Sequence, residues 1–358
     1  MNKEPSSLHE EWEEVFDPSR RETRKERKRV TRADRSQFKK TDQKKTISTK
    51  PIVEGHILGK VIRIRSRQVE VSSDNKTYIC SLKGSFKLEK ARKKNLLVVG
   101  DNVWFSPEEK LICTIEPRQS LLCRQEHLHR IKQQLVAANV DQVLITVALA
   151  QPVCKPAIID RYLIAAKKGN LTPIIVFNKY DLYEHHMREG ELVDRYAAIY
   201  RSLGISVVLV SAHTGEGIDE LEKLMKDKVS VFSGQSGTGK THLINTLTGL
   251  EMRTGEVRAI GKGGHTTTFA QLLALPFGGW CVDTPGIRSF GIWELTNDDL
   301  KEVFFEIFSQ NCAFANCWHR GEQGCRLPEA IEEKHVSIER FASYQALYNE
   351  LAGNSLRR

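Results

Sequence analysis

The sequence predicts a multidomain α/β protein: a small N-terminal β-barrel, a doubly wound and mainly parallel sheet, and a C-terminal helical domain carrying a cysteine–histidine cluster. Three observations predict it. Residues 52–118 hold five short alternating runs separated by turn signals. Residues 139–292 alternate apolar, β-branched runs with helical patterns. Three of the eight cysteines fall within residues 312–325, beside His319. The expected domains are therefore a basic tail at 1–50, a barrel at 51–118, the parallel-sheet domain at 119–292 and a helical domain at 293–358.

The tail is set apart by charge. Of the net +9, residues 1–19 contribute −5, residues 20–50 contribute +10, residues 51–118 contribute +5 and residues 119–358 contribute −1. Residues 1–50 have almost no apolar periodicity, so they cannot offset the entropy of ordering and are expected to be disordered. Arg20 to Arg29 is a candidate helix on a partner. A basic tail beside a basic small domain points to a polyanion, with nucleic acid first among them. The polar, acidic start MNKEPSSLHEEWEE argues against a secretory leader, and no run approaches 18 apolar residues, which argues against a membrane span.

In the barrel, the runs are Gly59 to Ile64, Gln68 to Val71, Thr77 to Cys80, Val103 to Phe105 and Ile112 to Ile115. Five strands in this length suit an OB-type barrel, and an SH3-like barrel would pattern similarly. Lys83, Lys87, Lys90, Arg92, Lys93 and Lys94 lie in one connection and would form a positive rim. Next come a buried strand at Val143 to Val147 and a helix at Ala157 to Lys168, capped by Gly169. They are followed by strand Pro173 to Phe177, helix Glu191 to Leu203, strand Ile205 to Val210, helix Ile218 to Lys226 and strand Val229 to Phe232. Helices are expected near Asp298 to Phe308 and from Pro328 to Leu351. Cys80, Cys113, Cys123, Cys154 and Cys281 read as small core side chains. A ligand site in such a sheet lies at the carboxyl ends of its strands.

The motifs fall at those ends. Gly234-Gln235-Ser236-Gly237-Thr238-Gly239-Lys240-Thr241 matches G-x-x-x-x-G-K-[ST] between a strand and the helical His242 to Leu247. Its glycines let backbone N–H groups converge on phosphate oxygens, and the helix points its positive end there. Lys240 places a charge on the β and γ phosphates, and the Thr241 hydroxyl can ligate Mg²⁺. Asp283-Thr284-Pro285-Gly286 ends a strand as D-x-x-G, with Asp283 for Mg²⁺ through water and Gly286 to sense the γ-phosphate. Between them, Gly261-Lys262-Gly263-Gly264-His265-Thr266-Thr267-Thr268 suits a switch that completes the metal shell. Thr267 is the favoured ligand among its neighbours. Asn178-Lys179-Tyr180-Asp181 matches N-K-x-D. The Asp181 carboxylate would accept two bonds from guanine, Lys179 would cover the base, and Asn178 would tie this loop to the phosphate loop. Ser211-Ala212 matches the second guanine loop, whose backbone N–H meets the base oxygen. The usual order is phosphate loop, switches, N-K-x-D, S-A. Here N-K-x-D and S-A come first, a circular permutation that leaves every loop on one sheet edge.

Cys312-x4-Cys317-x-His319-x5-Cys325 offers three thiolates and one imidazole, a closed tetrahedral set for one structural Zn²⁺. No position is left for a catalytic water.

Barrel, permuted nucleotide domain and Cys-Cys-His-Cys knuckle together resemble the ribosome small subunit-dependent GTPase A (RsgA/YjeQ) family over about residues 52–350. Ala138 to Asp141, Asp160 to Leu163, Gly237 to Lys240, His265 to Thr268 and Asp283 to Phe290 all resemble family segments. The resemblance implies a cytoplasmic GTPase, using Mg²⁺ with GTP, that binds the small (30S) subunit and its rRNA late in maturation. It also implies turnover stimulated by that subunit, and a monomer is expected. Thr238 stands where Val is usual, Gly264 replaces a basic residue, and Lys262 and Lys83 stand where Arg is usual. Residues 1–50 exceed the family core.

Ile287 occupies the position where many GTPases carry a water-orienting Gln, so another group must act. His265 is the candidate, as orienter or base, and the resemblance supports it. On geometry alone it could equally contact RNA or stabilise the switch. Two other classes stand beside this reading: a permuted GTPase acting on the large subunit or another RNA, and a non-catalytic RNA-binding module. The barrel with a zinc knuckle argues against the first, and the intact Lys240, Thr241 and Asp283 argue against the second.

Overall fold

Period-two alternation in the first third of the chain closes on itself. In the computed structural model, residues 55–65, 68–74, 76–82, 96–125, 133–250, 270–283 and 295–355 are described, all within the unit Thr46–Arg358. Strands β1 (Ile57–Ile64), β2 (Val69–Ser73), β3 (Lys76–Leu82), β4 (Asn102–Ser106) and β5 (Leu111–Ile115) pair in the order β1-β2-β3-β5-β4, with β4 returning to β1. The β3–β5 pairing is parallel and the other four are antiparallel. This closure is the OB-type Greek key rather than an SH3-like barrel. Val61, Val71, Val103, Phe105 and Ile112 fill its interior, all fully buried. The basic tail, its candidate helix at Arg20 to Arg29, and the basic connection from Lys83 to Lys94 lie outside the described residues.

A hairpin unforeseen in the sequence follows, β6 (Leu121–Gln125) with β7 (Gln133–Ala138). The alternating domain then supplies β8 (Gln142–Ala148), α1 (Pro156–Gly169), β9 (Thr172–Asn178), α2 (Met187–Ser202), β10 (Ser206–Leu209), α3 (Ile218–Met225), β11 (Val229–Ser233), α4 (Lys240–Thr248), β12 (Gln271–Ala274) and β13 (Trp280–Asp283). Strands β10-β9-β8-β11-β13 run parallel, and β12 joins antiparallel to β13. Every residue of β8 is buried, as expected where helices cover both faces. Two apolar clusters occupy those faces, one around Ile145, Phe177 and Tyr200 and the other around Leu144, Val208 and Leu243. Strand β12 also pairs with β1 at Arg63↔Gln271, so barrel and parallel sheet form one continuous sheet among the described residues.

The segment Ala138 to Asp141 has a structural reason here. Asn139, at φ 52°, donates from Nδ2 to Gly100 O at 3.0 Å and accepts from Gln119 N at 2.9 Å, stitching barrel, linker and hairpin together. Asp141 accepts from Val229 N at 2.7 Å and so starts β8 beside β11.

The last helices are α5 (Asn297–Val303), α6 (Phe305–Phe308), α7 (Leu327–Glu332) and α8 (Ile338–Ser355). The single helix expected from Pro328 to Leu351 is thus two. Lys334 turns left-handed at φ 61°, His335 N and Val336 N close on Ala330 O, and Val336 is buried. Ser337 Oγ then caps α8 by accepting from Arg340 N at 3.1 Å. The cap of α1 also differs from expectation: Gly169 ends the helix and Asn170, at φ 54°, is the left-handed residue. Asn adopts that conformation at low cost. Among the scattered cysteines, Cys80, Cys154 and Cys281 are buried. Cys113 is only half-buried, with Sγ 3.6 Å from His56 Nε2, and the Cys123 side chain lies outside the description.

Arg340 of α8 joins the C-terminal helices to the parallel-sheet domain. Its guanidinium is paired with Asp160 of α1 and, through Nε at 2.6 Å, with Glu306 of α6, and Asp160 also accepts from Tyr200 Oη at 2.8 Å. Burial disfavours the Arg340 cation, but the two carboxylates more than offset this and hold its pKa above the ordinary value. Removing one partner strands buried charge, so Arg340→Ala should cost about 3–5 kcal/mol. Arg161, paired with Glu350 at the half-exposed rim, should cost about 1 kcal/mol or less on the same change. Urea unfolding of the two variants checks this, and equal midpoints would contradict it.

Candidate functional site

Loops leave β9, β10 and β11 at their carboxyl ends and converge, and the parallel strand β13 ends at Asp283 beside β11. The phosphate-loop motif links β11 to α4 and depends on backbone shape at two glycines. Gly234 sits at φ 151°, and a Cβ there would lie 2.0 Å from Thr146 O in β8. Gly239 sits at φ 87°, and a Cβ would lie 2.3 Å from Asn178 Nδ2. The loop therefore packs against β8 on one side and against the N-K-x-D loop on the other.

Asn178 makes the second contact. Its buried side chain donates from Nδ2 to Thr238 O at 2.9 Å and accepts at Oδ1 from Ala212 N at 3.1 Å. One amide thus bonds to both the phosphate loop and the Ser211-Ala212 loop. Lys179 is left-handed at φ 64° and its Nζ donates to Gln151 O at 2.7 Å. Asp181 accepts from Ser211 Oγ at 2.6 Å, while Ser211 Oγ accepts from His213 N and Thr214 N at 3.2 and 3.1 Å. One Asp181 oxygen is held by the protein in a fixed orientation, and the carboxylate stays acceptor-only toward a base. In the Ser211-Ala212 loop, expected to offer a backbone N–H to the base, the Ala212 N–H is bonded to Asn178.

In the phosphate loop, Lys240 folds back to donate to Gly234 O at 2.8 Å and to Gln235 O. Burial pulls its pKa down to about 8. A phosphate bound in the loop would favour the charged ammonium and offset that effect. Thr238 is buried, and its hydroxyl donates to Gln235 O at 3.1 Å, so Thr in place of Val leaves no unpaired group. Thr241 is half-buried at the first turn of α4, while Ser236, Gly237 and His242 are exposed. Asp283 ends β13 and accepts at Oδ2 from Gln271 Nε2 at 3.0 Å, with burial raising its pKa. Thr241 and Asp283 together offer hard oxygen donors suited to Mg²⁺. His265, Thr266, Thr267, Thr268 and Gly286 lie outside the described residues, as do Lys262, Gly264 and Ile287.

The second cluster lies between α6 and α7. The donor atoms of Cys312, Cys317, His319 and Cys325 all fall within 4.8 Å of one another. His319 Nδ1 is 3.7 Å from Cys312 Sγ, 3.7 Å from Cys317 Sγ and 3.4 Å from Cys325 Sγ. Tetrahedral ligands at zinc distances stand about 3.5–3.8 Å apart, so the set fits that ion. Burial lowers the pKa of His319, favouring the neutral imidazole that ligation needs. Glu322 accepts from Trp318 N at 2.9 Å and from Arg320 N, shaping the turn, and Arg326 N donates to Cys312 Sγ at 3.3 Å. Phe308 packs edge-on against the His319 ring at 5.3 Å and links the cluster to the C-terminal core.

Three contributors escaped the sequence reading. Gln151 acts through its carbonyl, which no motif reports. Gln271 sits on β12, a strand too short for its alternation to register, and Arg63 reaches the site from the barrel.

Residues 115–293 match the RsgA GTPase family model. The chain is 36% identical over 300 residues to "Small ribosomal subunit biogenesis GTPase RsgA" of Bacteroides fragilis (strain YCH46), covering 82% of this chain and 96% of that one. It is 40% identical over 272 residues to the protein of the same name from Chlorobaculum parvum, covering 72% and 86%. Among solved structures, YjeQ from Thermotoga maritima matches with TM-score 0.66 and 34% identity, covering 83% of this chain and 99% of that one. YloQ, a circularly permuted GTPase, matches with TM-score 0.63 and 25% identity, covering 84% and 96%.

Metal analysis of freshly purified protein is expected to find one zinc per chain, lost in Cys317→Ser. Chelation should loosen the C-terminal segment to proteolysis while nucleotide binding persists, because no cluster ligand belongs to a nucleotide loop. Metal-free protein with an equally protected C-terminus would contradict the assignment.

Proposed function

The chain belongs to the RsgA GTPase family, and from that premise we propose that it binds the small (30S) ribosomal subunit and its rRNA and assists late maturation. It hydrolyses GTP to GDP and phosphate, faster when the subunit is bound. The observation that carries this reading is the convergence of the permuted loops on one sheet edge, in a sheet that continues into an OB-type barrel.

Each residue has a role in that reading. Asp181, oriented by Ser211, pairs with guanine's N1–H and 2-amino group, and Lys179 lies along the base. Asn178 keeps the base and phosphate loops at a fixed separation. Backbone N–H groups of Gly234 to Gly239 and the start of α4 face the phosphates, and Lys240 leaves its carbonyl partners for the β and γ oxygens. Thr241, Asp283 and Thr267 would hold Mg²⁺, which when bound neutralises charge building on the phosphates. His265 orients the attacking water, and Gly286 reads the γ-phosphate. Slow intrinsic turnover follows if the subunit orders the switch that carries His265.

The proposed domains are the tail (1–50), the RNA-facing barrel (51–118), the permuted GTPase domain (119–292) and the zinc-bearing helical domain (293–358). One structural Zn²⁺ holds the last of these. Among the described residues no helix is long and apolar enough to cross a membrane. A cytoplasmic monomer working on GTP and the subunit completes the reading.

GTP hydrolysis measured alone, with 30S and with 50S particles tests it. Stimulation by 30S only is expected, and stimulation by 50S, or no hydrolysis, would overturn it. Asp181→Asn should shift preference from GTP toward XTP. His265→Ala should abolish the 30S-stimulated rate while binding is retained.

A further inference from the structure

The site has a polar support that begins in the barrel. Four adjacent strands carry directly opposed residues in one row: Glu70 on β2, Arg63 on β1, Gln271 on β12 and Asp283 on β13. The pairs are Arg63↔Glu70, Arg63↔Gln271 and Gln271↔Asp283. Opposed residues of antiparallel strands project to the same face. The side chains are joined accordingly. Glu70 Oε2 lies 3.7 Å from Arg63 Nη1, Arg63 Nη2 donates to Gln271 Oε1, and Gln271 Nε2 donates to Asp283 Oδ2 at 3.0 Å. Glu70 also holds Arg65 at 3.2 Å.

We propose that Gln271 and Arg63 are positioning residues for Asp283, so that the barrel strand β1 supplies part of the magnesium side of the GTPase site. The proposal rests on Asp283 being the magnesium aspartate. The chemistry of the row gives it direction. A glutamine side chain has a donor end and an acceptor end, and either can face a neighbour. Arg63 has only donors, so the Gln271 oxygen must turn toward it. That leaves the NH₂ group for Asp283, where the reversed amide would set oxygen against carboxylate. Glu70 keeps Arg63 in place from the far side. With Oδ2 engaged by Gln271, the Asp283 carboxylate is oriented so that Oδ1 can face the metal's water shell. Partners of this kind behind a metal ligand change metal affinity about 10–100-fold when removed.

The test uses the full chain and a fluorescent, non-hydrolysable GTP analogue, with release followed across a Mg²⁺ series. Gln271→Leu removes the donor, and Arg63→Met removes the group that orients it while keeping much of its length. Each should raise the Mg²⁺ concentration for half-maximal retention about tenfold, with release in excess chelator unchanged. The double variant should lose much less than the sum of the two single variants, because Arg63 acts on Asp283 chiefly through the Gln271 amide beside a direct effect of its charge. Arg63→Lys, which keeps a donor for the amide oxygen, should recover part of the loss. Asp283→Asn is the reference. If it shifts the Mg²⁺ response and neither Gln271→Leu nor Arg63→Met does, the positioning role is wrong. An additive double variant also overturns it. If Asp283→Asn leaves the response unchanged, the magnesium assignment of Asp283 fails first, and the proposal with it.

Discussion

The side-chain amide of Asn178 is the bond on which the nucleotide loops depend. It lies at the end of a buried parallel strand and bonds to the phosphate loop through Thr238 O and to the Ser211-Ala212 loop through Ala212 N. Only Gly239 lets it approach so closely. A permuted chain joins these loops in a different covalent order, so their separation must be set by tertiary bonds. A neutral amide suits this, since it donates and accepts at once and gives each of its polar atoms a partner without burying a charge.

The same sheet carries the other levels of organisation. Its parallel half sets the loops at one edge, and its antiparallel continuation through β12 and β1 brings the barrel alongside Asp283. The buried Arg340–Asp160–Glu306 group fastens the C-terminal helices to α1, and the cysteine–histidine cluster organises the loop between those helices. Desolvating three charges is costly, and they are tolerated because the carboxylates and Tyr200 surround the guanidinium. Barrel, nucleotide site and cysteine–histidine cluster are thus linked by specific polar contacts as well as by apolar packing.

What the sequence made legible was local. The phosphate loop, N-K-x-D, D-x-x-G and the Cys-Cys-His-Cys spacing each carry their chemistry within a few residues. The barrel strands and the alternating strands and helices follow from period and turn residues. The illegible parts are long-range or backbone-borne. Arg340 meets Asp160 across 180 positions, and Arg63 meets Gln271 across 208. Strand β12 has four residues, too few to show alternation, and the β6–β7 hairpin lacks a clear two-residue turn signal. The break between α7 and α8 rests on a left-handed Lys334, a residue with no preference for that conformation. Gln151 contributes only a carbonyl, which any residue could present.

Asn178→Ala, assayed by GDP affinity with melting temperature and zinc content as controls, tests the central claim most directly. Two buried bonds are lost and two loops come free, so affinity should fall about 100-fold or more, while zinc content stays the same and the protein remains folded. A variant that binds GDP as tightly as the parent would show that the loops hold their places without this amide, and would contradict the account.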